Sequence, residues 1–87
     1  TARIFCGIFN GASSKLYLSG GTPASGAGGA DSLASGIRIG RDTGAGTAFT
    51  NMEAYEILIY DSALSAANLN LVGNYLETKW SLTWTDV

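Results

Sequence analysis

Apolar and polar residues alternate near the start of the chain, over residues 3–9, with Ile4, Cys6 and Ile8 on one face. A period of two is typical of a β-strand that buries one side. An Asn-Gly dipeptide follows directly, and because it readily takes the positive φ angles of a turn, residues 15–19 are expected to return as an antiparallel strand. The pattern therefore predicts a hairpin, joined by a tight turn or by a longer loop.

Two more apolar segments lie between stretches of small residues. Residues 36–40 alternate as a short strand does, and the run Glu-Ile-Leu-Ile-Tyr at residues 56–60 is typical of a central strand covered on both faces. Residues 20–36 and 41–51 are rich in Gly, Ala, Ser and Thr, so we expect them to form surface loops. The chain is thus expected to carry four or five short strands.

The period changes to that of a helix after Ser65, a residue type that commonly caps a helix N-terminus. Gly73 lies within the predicted helix, over residues 65–80, and costs about 1 kcal/mol relative to alanine. Tertiary packing must therefore stabilise the helix. Its apolar face is marked by four residues spaced three, four and four apart: Leu69, Val72, Leu76 and Trp80.

Nearly half of the chain consists of Ala, Gly, Ser and Thr, so large apolar side chains are confined to the segments named above. Four or five short strands do not close a sandwich on their own. The helix stripe and the double-sided strand both need apolar partners, which the glycine-rich remainder hardly supplies. We therefore expect the 87 residues to form half of a domain.

Charge and the length of the apolar runs exclude two classes of partner. The net charge is -2, the sequence pI is about 4.7 and Lys and Arg are not clustered, so no nucleic-acid binding is expected. The longest apolar runs are far shorter than the roughly 20 residues that cross a bilayer, so no membrane insertion is expected. Cys6 is the single cysteine, and we interpret it as a small buried hydrophobe.

The segment 49–65, continued by 72–80, combines an acidic residue before an apolar strand, then Tyr-Asp, Leu-Ser after two residues, and a helix that ends Tyr-Leu, two residues, Lys-Trp. This pattern resembles the C-terminal half of the laminin-G-like, concanavalin A-like lectin/glucanase jelly rolls of bacterial surface and phage virion proteins. Residues 15–20 and 39–41 are similar to further segments of that family. The positions that carry the resemblance are Glu56, Tyr60, Asp61, Leu64, Ser65, Tyr75, Leu76, Lys79 and Trp80.

The resemblance implies an all-β fold, an antiparallel jelly-roll sandwich. Residues 1–87 would be the C-terminal half of one such domain, with one short C-terminal helix, and the N-terminal strands would precede Thr1. Glu56 opens the strand that is expected to be covered, so its carboxylate must meet a partner or stay at the rim, and Arg38 and Lys79 are the candidate partners.

Calcium is the cofactor that the resemblance implies, because laminin-G-like domains often hold a hard cation in their loops with carboxylates and carbonyls. Asp31, Asp42 and Asn51 are the candidate ligands, and each is also readily explained as a solvated loop residue. Sugar binding would stack an exposed aromatic ring on a pyranose. Tyr55 and Trp84 are the candidates, since Tyr17, Tyr60 and Trp80 are expected to be structural.

Catalysis is not expected. The glucanase branch of the fold uses a Glu-x-Asp-x-x-Glu strand, which the chain lacks. Glu53 and Glu56 are the closest acidic pair, but a spacing of three sends the two side chains to opposite faces of a regular strand. The chain also has no histidine for a catalytic triad or a zinc site.

The favoured function is non-catalytic carbohydrate binding or adhesion on a virion or bacterial surface protein. Its partners would be surface glycans or neighbouring virion or surface proteins, and its location would be extracellular or the virion surface. The alternative is a structural capsid-decoration or fibre domain that acts through protein–protein packing, assembled with other chains or with an N-terminal half. A third alternative is a fragment of a glucanase-like enzyme whose paired carboxylates lie upstream.

Overall fold

The described part of the chain comprises residues 2–28, 39 and 51–87 of the computed structural model. It contains one helix, α1 (Ala66–Trp80), and a three-stranded antiparallel sheet, in which β1 (Phe5–Ile8), β2 (Ser14–Leu18) and β3 (Ala24–Gly26) are adjacent in that order. Apart from residues 39 and 51, the predicted strand over residues 36–40 and the predicted loop over 41–51 lie outside the described residues.

The predicted hairpin is confirmed by strands β1 and β2, which pair from Phe5 opposite Leu18 to Ile8 opposite Lys15. A single turn of 3₁₀ helix joins them, so the connection is longer than a two-residue turn. The Ser14 hydroxyl closes this turn, because it accepts the Asn10 N–H at 3.0 Å and donates to a backbone carbonyl at 2.8 Å. Strand β3 then adds an edge within a segment that was expected to be loop.

The prediction of a covered central strand over residues 56–60 is wrong. The segment is not a strand, and among the described residues β1 is an edge strand of the sheet with no partner from this segment. Its apolar side chains from Ile57 to Tyr60 are 41–57% exposed, so Tyr60 is not the buried structural residue that was expected. A strand needs neighbours to satisfy its backbone groups, and the described part of the chain supplies none here.

Helix α1 begins and ends with the local signals that its sequence carries. The Ser65 side chain accepts the Asn68 N–H at 3.2 Å, which confirms the predicted N-cap. At the other end Ser81 adopts the left-handed conformation, with φ 53°, and its N–H donates to the Glu77 carbonyl. The N–H of Leu82 donates to the same carbonyl at 3.1 Å, which satisfies the last turn.

A small core joins the sheet, the helix and the C-terminal tail. Its four buried members are Ile4, Tyr17, Leu69 and Trp84. Tyr17 was expected to be structural, and its burial confirms this. Cys6 packs partly buried against the same cluster, and burial raises the pKa of its thiol because the thiolate would lose solvation.

The prediction that Trp84 is an exposed aromatic residue is wrong, since only 6% of its surface is accessible to solvent. The tail folds back along α1, where the Asn70 amide oxygen accepts the indole N–H of Trp84 at 3.2 Å and the Val87 N–H at 2.8 Å. The Glu77 carboxylate accepts the backbone N–H of Trp84 at 2.7 Å. Thr85 then pairs in parallel with Gly20 at the end of β2. These contacts hold the ring inside the core.

Gly73 explains how α1 accommodates this tail. It is buried, and a Cβ built at this position would overlap the Trp84 indole ring. The glycine that lowers the intrinsic helix propensity is therefore the position where a tryptophan approaches the helix backbone. At position 73, packing against Trp84 requires a glycine, whereas helix propensity disfavours one, and packing is the stronger requirement.

Replacing Gly73 with alanine should lower the free energy of unfolding. Helix propensity alone predicts a gain of about 1 kcal/mol, whereas overpacking against Trp84 predicts a loss of about 1–3 kcal/mol. Urea unfolding followed by tryptophan fluorescence would measure the difference. Thr78→Ala, at an exposed position of the same helix, is the control and should change stability by less than about 0.5 kcal/mol. A more stable Gly73→Ala variant would contradict the packing shown here.

Candidate functional site

Two aromatic rings form an exposed pair beside the C-terminal end of α1. The ring centroids of Tyr55 and Trp80 are 5.3 Å apart, with the planes inclined by 40°. Tyr55 is 50% exposed, and Trp80 is half-buried. Such a pair presents apolar ring surface to solvent while each ring keeps a polar atom for hydrogen bonding.

The carboxylate of Glu56 fixes one ring of this pair. Its Oε1 accepts the indole N–H of Trp80 at 2.8 Å and forms an ion pair with Lys79 Nζ at 3.0 Å. Its Oε2 accepts the Tyr75 hydroxyl at 2.9 Å. Of the two partners expected for Glu56, Lys79 is the one observed, and Arg38 lies outside the described residues. Both oxygens of the carboxylate are thus engaged.

Lys79 completes the cluster around Glu56. Its Nζ donates to the Tyr75 hydroxyl at 2.9 Å and lies 5.3 Å and 5.4 Å from the ring centroids of Tyr75 and Trp80. The indole N–H of Trp80, and then the Lys79 ammonium, lower the pKa of the Glu56 carboxyl. The hydrogen bond to Tyr75, and then Glu56, raise the pKa of Lys79.

A pocket of about 520 Å³ opens beside the aromatic pair. Its size falls in the range of small-ligand sites. Besides the two rings, its lining includes side chains that can donate hydrogen bonds, and none of these makes a side-chain hydrogen bond or ion pair to another residue in the described part of the chain. They are Arg3, Ser19, Ser81 and Thr83.

These polar groups are brought together from distant parts of the sequence. Arg3 precedes β1, Ser19 follows β2 with a positive φ of 61°, and Ser81 and Thr83 begin the tail after α1. Backbone hydrogen bonds connect the three regions, because the Ser19 N–H donates to the Ile4 carbonyl at 2.7 Å and its carbonyl accepts the Thr85 N–H at 2.9 Å. Apolar ring surface and donors that have no side-chain partner among the described residues together suit a polyhydroxylated ligand.

A wider, mostly apolar groove adjoins this pocket and shares Arg3, Tyr55 and Trp80 with it. It measures about 1050 Å³ and is bounded by β1, by residues 52–64 and by the apolar face of α1. Exposed side chains such as Phe5, Phe9 and Ile59 line it. Large apolar surfaces of this kind usually mark a contact with another protein segment.

The predicted site residues are divided by the structure. Tyr55 lies in the pocket, whereas Trp84 is buried in the core and does not line it. Asn51 is exposed, and its proposed partners Asp31 and Asp42 lie outside the described residues. Within the described ranges no three His, Cys, Asp or Glu side chains are grouped so that they could hold a metal ion.

Sequence reasoning missed most of the pocket. Trp80 was assigned to the core because it continues the helix stripe, yet it is only half-buried and is the second ring that lines the pocket. The available signal was Glu56, the acidic residue that begins the run at 56–60. One of its two candidate partners, Lys79, lies beside Trp80 at the end of the predicted helix. No local pattern marks Arg3, Ser19, Ser81 or Thr83, because tertiary contacts alone bring them together.

No family model matches the chain, and no curated protein or solved structure does either. In the described part of the chain, no helix is both long and apolar enough to span a bilayer.

Replacing Glu56 with glutamine should reduce stability above about pH 5 and have less effect in acid. A carboxyl whose pKa is lowered by folding stabilises the protein above its ordinary pKa of 4.5, and this contribution is lost as the pH falls through the lower folded-state value. The difference in midpoint temperature between the native protein and Glu56→Gln should therefore shrink from pH 7 to pH 3.

Glu53→Gln is the matched control for this measurement, because Glu53 is an exposed neighbouring carboxyl outside the hydrogen-bonded cluster. Its difference from the native protein should be smaller at pH 7. A Glu56→Gln difference that stays constant or grows toward pH 3 would contradict the described role of the carboxylate.

Proposed function

We propose that the protein is a non-catalytic carbohydrate-binding or adhesion module, displayed extracellularly or on a virion surface. The observation that carries this proposal is the pocket in which the Tyr55 and Trp80 rings lie beside four hydrogen-bonding side chains. A pyranose has an apolar face of C–H groups and a rim of hydroxyls. The rings would pack against the apolar face, and Arg3, Ser19, Ser81 and Thr83 would bind the rim.

The architecture suits this role in two ways. The Trp80 ring is held by Glu56 before a ligand arrives, so little ordering of this ring would be required on binding. A shallow pocket that takes one or two sugar residues gives weak affinity, and repeated copies on a surface would raise it through multivalency. Calcium bound by Asp31, Asp42 and Asn51 remains part of the proposal, as a loop cofactor.

Tyr55→Ala should weaken glycan binding by at least tenfold, a loss of about 1.4 kcal/mol that is comparable with removing one stacked ring. The natural protein, presented in many copies, would be tested on a broad glycan array with calcium and again with a chelator. Tyr60→Ala is the control, because Tyr60 is exposed to a similar degree but does not line the pocket.

The array distinguishes the parts of this proposal. Binding that requires Tyr55 and survives chelation supports the aromatic pocket without calcium, and binding lost on chelation supports the loop ligands. No binding in either condition, by protein whose fold is verified by circular dichroism, would reject carbohydrate recognition. Equal losses in the two tyrosine variants would reject this pocket as the site.

A second candidate function is structural packing in a capsid-decorating or fibre protein. The observation that favours it is the apolar groove, whose walls expose large side chains on β1 and on residues 57–60. In a jelly-roll sandwich such a groove would be filled by further strands. We propose that the chain is the C-terminal half of that domain and that the strands come from an N-terminal half or from a neighbouring chain.

Ile59→Ser should weaken self-association or binding of the filling strands by at least tenfold, because burial of one isoleucine is worth about 1.5–3 kcal/mol. Light scattering over a range of concentrations would follow the molar mass of the native and variant proteins. Leu71→Ser is the control, since Leu71 is exposed on α1 outside the groove. A folded monomer of residues 1–87 alone at every concentration, or equal effects of both variants, would contradict the packing proposal.

A further inference from the structure

The pocket beside Tyr55 has an unbalanced charge. Among the described residues that line it, Arg3 alone is charged, and no described carboxylate lies within 4.0 Å of its guanidinium. Glu56 does not neutralise it, because one oxygen of Glu56 is shared by Trp80 and Lys79 and the other is bound by Tyr75. A cation therefore lines an otherwise neutral wall of hydroxyls and aromatic rings.

The geometry points to a pyranose that carries a single carboxylate, of the uronic-acid type, as the ligand of this pocket. This inference rests on the proposed carbohydrate-binding function and adds the chemical class of the sugar. The planar guanidinium of Arg3 presents paired N–H donors that match the two oxygens of a carboxylate. The hydroxyls of Ser19, Ser81 and Thr83 would bind the remaining sugar oxygens, while Tyr55 and Trp80 contact the ring.

A single carboxylate fits better than a polyanion such as a heavily sulfated glycan. The chain carries a net charge of -2, and its Lys and Arg residues are not clustered. Lys79, the other cation near the aromatic pair, is already paired with Glu56 at 3.0 Å. One cation in an acidic protein attracts one anionic group, and repeated sulfates would be repelled by the rest of the surface.

The test uses three immobilised oligosaccharides that differ only at the terminal residue: glucose, glucuronic acid or glucose 6-sulfate. The natural protein would be compared with Arg3→Gln, which removes the charge, and Arg3→Lys, which keeps the charge but loses the planar fork. Lys15→Gln is the matched control, because it removes one positive charge from an exposed position on β2 outside the pocket.

The expected result is at least tenfold tighter binding of the glucuronate-terminated ligand than of the glucose-terminated one, since a charge-assisted bidentate pair is worth about a factor of ten or more. Arg3→Gln should reduce this preference to less than about twofold, because it weakens binding of the glucuronate-terminated ligand much more than binding of the neutral one. Arg3→Lys should keep part of the preference, and Lys15→Gln should keep all of it.

Three results would overturn the inference while carbohydrate binding itself stands: equal binding of the neutral and carboxylated ligands, a preference that survives Arg3→Gln, or tighter binding of the sulfated ligand. Failure of the proposed function is a separate result. It would be absence of binding to all three ligands and to the broad array by folded protein.

Discussion

The packing of Trp84 onto Gly73 is the contact on which the remaining structure depends. The indole ring lies against the bare backbone of α1 and reaches Tyr17 of the sheet, with ring centroids 6.4 Å apart. Asn70 and Glu77 bind its polar atoms and the adjoining tail. One side chain thus joins the helix, the sheet and the C-terminus, and a glycine at position 73 is what allows it to approach.

The proposed ligand pocket follows from the same contact. Because the tail is fixed on α1 and paired with the end of β2, residues 81–83 are brought beside Arg3 and Ser19. The aromatic pair is positioned separately, through the hydrogen bond between Glu56 and the Trp80 indole. Core packing supplies the donors of the pocket, and a polar cluster at its edge supplies the ring surface.

The apolar groove follows from the amino-acid composition of the chain. Large side chains are few, and those on β1 and residues 57–60 remain substantially exposed because the described chain contains nothing to cover them. The same residues suggested a covered strand from sequence alone. The two observations agree if further strands fill the groove, which is the basis of the structural proposal.

The sequence by itself determined the hairpin, helix α1 and its Ser65 cap, because alternation, helical spacing and capping act between residues close in the chain. It also indicated Tyr55 as an exposed ring and Lys79 as one of two candidate partners of Glu56. Tertiary structure alone decided that Trp84 is buried, that Trp80 faces the pocket and that residues 56–60 are not paired as a strand. These outcomes depend on contacts between distant segments, and a local pattern shows that a side chain is apolar without showing which segment will cover it.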